Sequence, residues 1–150
     1  MDSADKLSEV GAALETYVKA ANSSNDFDLD VVDVWYNIES SVPRTPAILI
    51  EPQDIGRDMQ ETGFTTINQF NFFFTVLHSR MGSEGETNQE CLQIAEDLEE
   101  VLHANRRLDK LLVHSMVSSI SLGVAARQKV MLRAARLTWS GWNKTRMPPL

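Results

Sequence analysis

The 150-residue sequence predicts an α+β fold: an antiparallel β-sheet covered by two α-helices, in the order α-β-β-β-α-β-β. Three observations carry this expectation. Apolar residues recur at helical spacing in two separated stretches, one near the start and one after residue 87. Between them a phenylalanine-rich segment alternates with period two. After the second helical stretch come two strand-like runs, the first of which needs an antiparallel partner for its backbone groups.

The first helix is read from SADKLSEVGAALETYVKAAN, where Leu7, Val10, Leu14, Tyr17, Val18 and Ala21 share a face, Asp2 or Ser3 serves as N-cap and Asn22 as the stop. SSNDFDLD reads as a solvated linker. VVDVWYNIE is rich in β-branched and aromatic residues and predicts a strand, bounded by the turn-like SSVPRTP. The short apolar run between Pro46 and Pro52 predicts a second strand, and QDIGRDMQETGF, which has no period, predicts a loop.

In TTINQFNFFFTVLHS, Phe70, Phe72, Phe74 and Val76 fall on one face, and Asn71, Phe73, Thr75 and Leu77 on the other. This predicts a long central strand covered at least partly on both sides, its phenylalanines serving as core. RMGSEGE breaks the pattern and reads as flexible. Thr87 and Glu90 then form a T-x-x-E capping box at a helix start. Cys91, Ile94, Ala95, Leu98, Val101 and Leu102 make the inward stripe of that helix, with Glu96, Asp97, Glu99 and Glu100 outward and His103, Arg106 and Arg107 late, where cations suit the helix dipole. KLLVHSMVSSISLGV and QKVMLRAARLTW read as two strands joined around Gly123 and Ala125–Ala126. The second also fits a helix through Val130, Ala134 and Leu137; the strand is preferred because the serine-rich run before it needs a partner and because Thr138 and Trp139 end it.

A chain of this length suits one domain over residues 1–150, with 143–150 expected as a flexible tail; a domain of that size buries about 70% of its unfolded surface. The hydrophobic share of 43% and the charged share of 23% are those of an ordinary globular protein. The single cysteine, Cys91, can form no internal disulfide and no C-x-x-C metal site, and its place on the apolar stripe makes it a small core residue. Neither a secretory leader nor a membrane span is read from the sequence, so a cytoplasmic setting is expected.

The net charge of −7 is unevenly spread. Residues 1–100 hold 5 Lys/Arg against 20 Asp/Glu, whereas residues 101–150 hold 9 Lys/Arg against Asp109 alone. Such a split serves complementary contact surfaces, or else the two halves interleave and neutralise each other.

No catalytic constellation is visible: there is no G-x-S-x-G, no phosphate loop, no G-x-G-x-x-G and no H-E-x-x-H. His78, His103 and His114 fall on three different predicted elements. His114 and Ser115, adjacent on a strand, point to opposite faces and cannot act as a base–nucleophile pair. A sequence pI near 4.9 opposes phosphate binding as the main role. The sequence therefore predicts no enzyme, no cofactor and no metal site. The chemistry concentrates instead at VMLRAARLTWSGWNKTRMPPL, where Arg133, Arg136, Lys144 and Arg146 surround Trp139 and Trp142. Tryptophan and arginine anchor interfaces, so these six residues form the candidate subunit or partner surface. The alternative is that Trp139 ends a strand in the core and NKTRMPPL is a frayed end.

ECLQIAEDLEEVLHANRRLDKLLVHSMVSSISLGV followed by VMLRAARLTWS, together with the earlier TPAILIEP and FNFFFTVLHS, resembles the tail terminator (tail completion, or minor tail) proteins of long-tailed bacteriophages. The resemblance covers most of the chain in element order. It implies a virion protein at the tail–neck junction, assembled in the host cytoplasm. Such a protein forms a ring with copies of itself, typically a hexamer, that caps the tail tube protein, ends its polymerisation and joins the tail to neck or connector proteins. Neighbouring neck or head-completion proteins share the architecture and form the alternative, with a small cytosolic enzyme as the distant one. Within such a ring DNA only passes through, and an acidic lumen, to which QDIGRDMQE and GSEGE would contribute, would keep it from sticking.

Overall fold

The computed structural model describes residues 6–24, 31, 33–36, 45–59, 65–78, 84–127 and 130–146. Seven elements follow one another: α1 (Leu7–Ser23), β1 (Asp33–Tyr36), β2 (Ala47–Met59), β3 (Thr65–His78), α2 (Glu84–Ala104), β4 (His114–Arg127) and β5 (Val130–Arg146). The α+β class and the α-β-β-β-α-β-β order are those expected. The strands form one sheet in the order β1-β2-β3-β5-β4. All neighbours are antiparallel except β1 and β2, which run parallel with Asp33 opposite Ala47 and Tyr36 opposite Ile50. This corrects the wholly antiparallel sheet, because alternation marks a strand without giving its direction, which the path of the connection decides.

Both helices pack on the same face of the sheet. Val10, Leu14 and Val18 of α1 and Cys91, Ile94, Ala95 and Leu98 of α2 meet Ile48, Ile50, Phe70, Phe72, Phe74, Val76, Leu137 and Trp139 in one core. Each large side chain taken fully from water there contributes about 1.5–3 kcal/mol. The Tyr17 hydroxyl donates to the Val101 carbonyl at 2.6 Å and ties α1 to α2. Tyr36 lies directly on Gly11, so α1 approaches β1 only because that position lacks a side chain. The opposite face, called the open face below, holds a smaller cluster of Leu49, Leu77 and Leu132 flanked by Trp35, Ala125 and Ala134.

Several boundaries differ from the sequence reading. β2 does not stop before Pro52: it passes an irregularity between Pro52 and Asp54 and continues to Met59, so residues 53–59, expected as loop, are strand. The long β3 supplies the reason, since its first half offers backbone groups that only a pairing segment satisfies, and pairing outweighs weak local propensity. Pro52 is tolerated because, among the described residues, β1 pairs only with Ala47–Ile50 and β2 is an edge beyond that point.

α2 begins at Glu84, which places Thr87 and Glu90 inside the helix and removes the capping box. α1 begins with Lys6 at the N-cap and no side-chain cap, while Asp2 and Ser3 lie outside the described residues. Gly123, Ala125 and Ala126, expected at the joint between the last two strands, sit within β4, which pairs with β5 as far as Arg127 opposite Val130; residues 128–129 lie outside the described residues. Of the expected linker SSNDFDLD, Ser23 closes α1 and residues 25–30 lie outside the described residues; of RMGSEGE, expected as flexible, residues 84–86 open α2 and 80–83 lie outside them. Asn143–Arg146, expected as part of a flexible tail, are paired with Thr65–Asn68 in the sheet; residues 147–150 are outside the description.

The α2–β4 turn has three successive residues in the left-handed region: Leu108 (φ 46°), Asp109 (φ 55°) and Lys110 (φ 75°). Two side-chain bonds join Asn105 and Asp109 across it, and Leu108 and Leu112 are buried beneath it. The turn thus exchanges backbone strain for two apolar anchors and a reciprocal polar pair.

Candidate interaction surface

β5 organises the candidate residues, because alternate side chains of a strand point to opposite faces. Arg133 and Trp139 fall on the helix side, Arg136, Trp142 and Lys144 on the open face, and the backbone of Arg146 pairs with Thr65 at the end of the strand. The six residues therefore do not make one surface.

Trp139 is 1% exposed and belongs to the core. Its ring meets Phe72 at 5.7 Å and Phe74 at 6.3 Å, both edge to face. Gly141 admits the indole, since a Cβ there would lie 2.6 Å from Trp139 Cη2 and 2.7 Å from Leu112 Cδ1. Its role as an exposed anchor is thereby corrected: the indole is buried in the core of the chain itself. Arg133 stands opposite His78 at the other end of β5, half-buried beside α2, with its carbonyl accepting from the Cys91 thiol at 3.6 Å.

The open face keeps the remaining members. The Arg136 guanidinium lies 4.6 Å from the centre of the Phe73 ring, a cation–π contact that holds the charge flat against the sheet. Trp142 is half-buried between its cross-strand neighbours Gln69 on β3 and His114 on β4, and Lys144, opposite Ile67, is exposed. Between these lies a polar strip. Asn71 Oδ1 accepts from Ser140 Oγ at 2.7 Å and from Gln69 Nε2 at 3.2 Å, and Asn71 Nδ2 donates to Asp54 Oδ1. β2, β3 and β5 are thus cross-linked by side chains on a face that solvent reaches. Toward β4 a hollow of about 250 Å³ is lined by Thr75, Ser121, Gly123, Ala125, Ala134 and Arg136, among others.

The sequence reading missed Phe73, Asn71 and Ser140 as members of this surface. The signal was available for Phe73, which the period-two pattern had already placed on the face opposite the core. The same pattern places Asn71 there too, but its bonds to Asp54 and to Ser140, 17 and 69 residues away in sequence, leave no local signal.

The titratable groups have structural surroundings. His78 Nε2 lies 2.6 Å from Glu90 Oε2, a pairing across the β3–α2 connection that the sequence pattern does not foretell, while its buried Nδ1 meets no hydrogen-bond partner among the described residues. Burial pushes the Cys91 thiol up to about 11, and the Glu90 carboxylate adds to the shift. His103 Nε2 accepts from the Val117 amide at 3.0 Å, and burial holds its pKa below the ordinary value. Ser115 Oγ donates to the Arg106 carbonyl, on the face opposite His114. Among the described residues, no group of three or more His, Cys, Asp or Glu could hold a metal ion, and no helix is long and apolar enough to cross a membrane.

Comparison of the chain with protein-family models and with curated proteins returns no match.

Proposed function

We propose that the chain is a structural subunit of a bacteriophage tail, of the tail-terminator kind, which assembles as a ring on the end of the tail tube and joins it to the neck. The observation that carries this reading is that exposed acids of α2 stand on one side of the sheet and exposed cations of β5 on the other. On the helix side of the sheet α2 carries no lysine or arginine, and its Glu96 and Glu100 are exposed with Glu99 half-buried between them. Arg136 and Lys144, with Trp142 between them, lie on the other. A ring is built from unlike surfaces meeting head to tail, and opposite charges favour that contact over face-to-face pairing. The likeness in element order to tail terminators supports the same reading, which requires no reaction.

The test is assembly. Tail-tube subunits of the phage that encodes this chain are polymerised with and without the purified protein, and the products are measured by electron microscopy. Shorter tubes of uniform length, each with a ring at one end, are the expected result. Binding to connector rings with no effect on tubes would transfer the protein to the neck, and binding to neither would overturn the reading.

A further inference from the structure

We infer that the outer edge of β4 is a self-association site that joins two copies of this chain, β4 against β4, into one continuous ten-stranded sheet. β4 ends the sheet: β5 pairs with one side of it, and among the described residues no strand pairs with the other. An unpaired edge exposes a row of amide and carbonyl groups whose geometry fits an extended chain. Proteins usually guard such edges with charge, proline or a bulge. Here residues 114–126 contain no Asp, Glu, Lys, Arg or Pro. The one irregularity, between Val117 and Ser119, leaves residues 119–126 as regular strand.

The side chains indicate a second copy as the occupant. Ile120, Leu122 and Val124 occupy alternate positions on the helix side, and Leu122 and Val124 are 53% and 49% exposed. Ser119, Ser121, Gly123 and Ala125 occupy the open face, all small. An antiparallel pairing centred on Leu122 sets Leu122 against Leu122 and Ile120 against Val124 of the second copy. It also sets Ser121 against Gly123 and Ser119 against Ala125. Both faces then match like with like: an apolar row on one side and small residues on the other, with no charge brought near its equal. A pairing shifted by one residue would oppose apolar to small side chains and lose this match.

A joint of about eight residues is smaller than a standard protein interface, so the dimer is expected to depend on concentration. It is two-fold, whereas a ring uses unlike surfaces, so it describes the protein before it meets a tail and stands apart from the tail-cap reading.

The experiment uses the full chain in light scattering coupled to sizing, from about 5 to 200 µM. The expected result is a rise from 16.8 kDa toward twice that mass, abolished in Leu122→Lys/Val124→Lys, whose circular dichroism stays unchanged because both positions are exposed. Leu122→Cys should cross-link to a dimer on mild oxidation and Glu100→Cys, on α2, should not. A wild-type monomer throughout, an unaltered dimer in the lysine variant, or equal cross-linking at both cysteines would overturn the proposal.

Discussion

Two tryptophans three residues apart have opposite destinations. An odd spacing in a strand sends side chains to different faces, so Trp139 enters the core and Trp142 stays on the open face. Trp139→Ala should cost about 3–5 kcal/mol in urea unfolding, as removal of a buried aromatic does, whereas Trp142→Ala should cost less than about 1 kcal/mol. His103 supplies a second residue-scale prediction. Its folded pKa is held below the ordinary histidine value by burial first, then by Arg106, and by His114 as well, with Glu99 opposing them. The unfolded chain therefore binds the proton more readily, so the stabilising contribution of neutral His103 is complete above the ordinary histidine pKa and is lost as pH falls below it. Thermal melts between pH 8 and pH 5 should show a shallower decline in His103→Gln than in the wild type.

At the scale of elements, the α2–β4 turn fixes how the second half of the sheet meets the helices. Leu112 packs against the Gly141 position, and the Leu111 carbonyl accepts from Asn143 Nδ2 at 3.0 Å. Asn143 Oδ1 in turn accepts from Asn68 Nδ2, and Asn68 Oδ1 from Arg57, so a polar chain, buried at Asn143 and Asn68, runs from the turn through β5 and β3 to the exposed Arg57 on β2. This chain helps explain why β2 continues as strand beyond Pro52. Lys110, held at φ 75° without being glycine, stores strain in the turn. Lys110→Gly should stabilise the protein by about 0.5–1 kcal/mol, read from the urea midpoint at unchanged slope. None of these contacts has a signature in local sequence, because each joins residues that only the sheet order brings together.

Across the whole molecule the sheet separates an acidic helix from a face bearing Arg136 and Lys144, and it also interleaves the two sequence halves. β5, from the basic half, pairs along its length with β3, from the acidic half, and α2 packs on both. The open face is mixed in sign, with Asp54 bound to Asn71 beside the cations of β5. If β5 charges orient subunits, Arg136→Glu/Lys144→Glu should reduce tail capping at low salt by an order of magnitude or more in the tube-length assay. Wild-type capping should in turn weaken as salt rises, because exposed charges act over only about 10 Å at 0.1 M ionic strength.

The sequence by itself determined the α+β class, the order of the seven elements, the inward stripes of α1 and α2 and the two faces of β3. These depend on periodicity and on apolar residues leaving water, which operate within a single element. The tertiary structure alone decided the parallel direction of β1, the length of β2, the division of the β5 residues between core and open face, and the exposure of the β4 edge. Each of these depends on which distant strand satisfies a backbone row and which surface a helix covers, quantities that exist only once the chain has closed on itself.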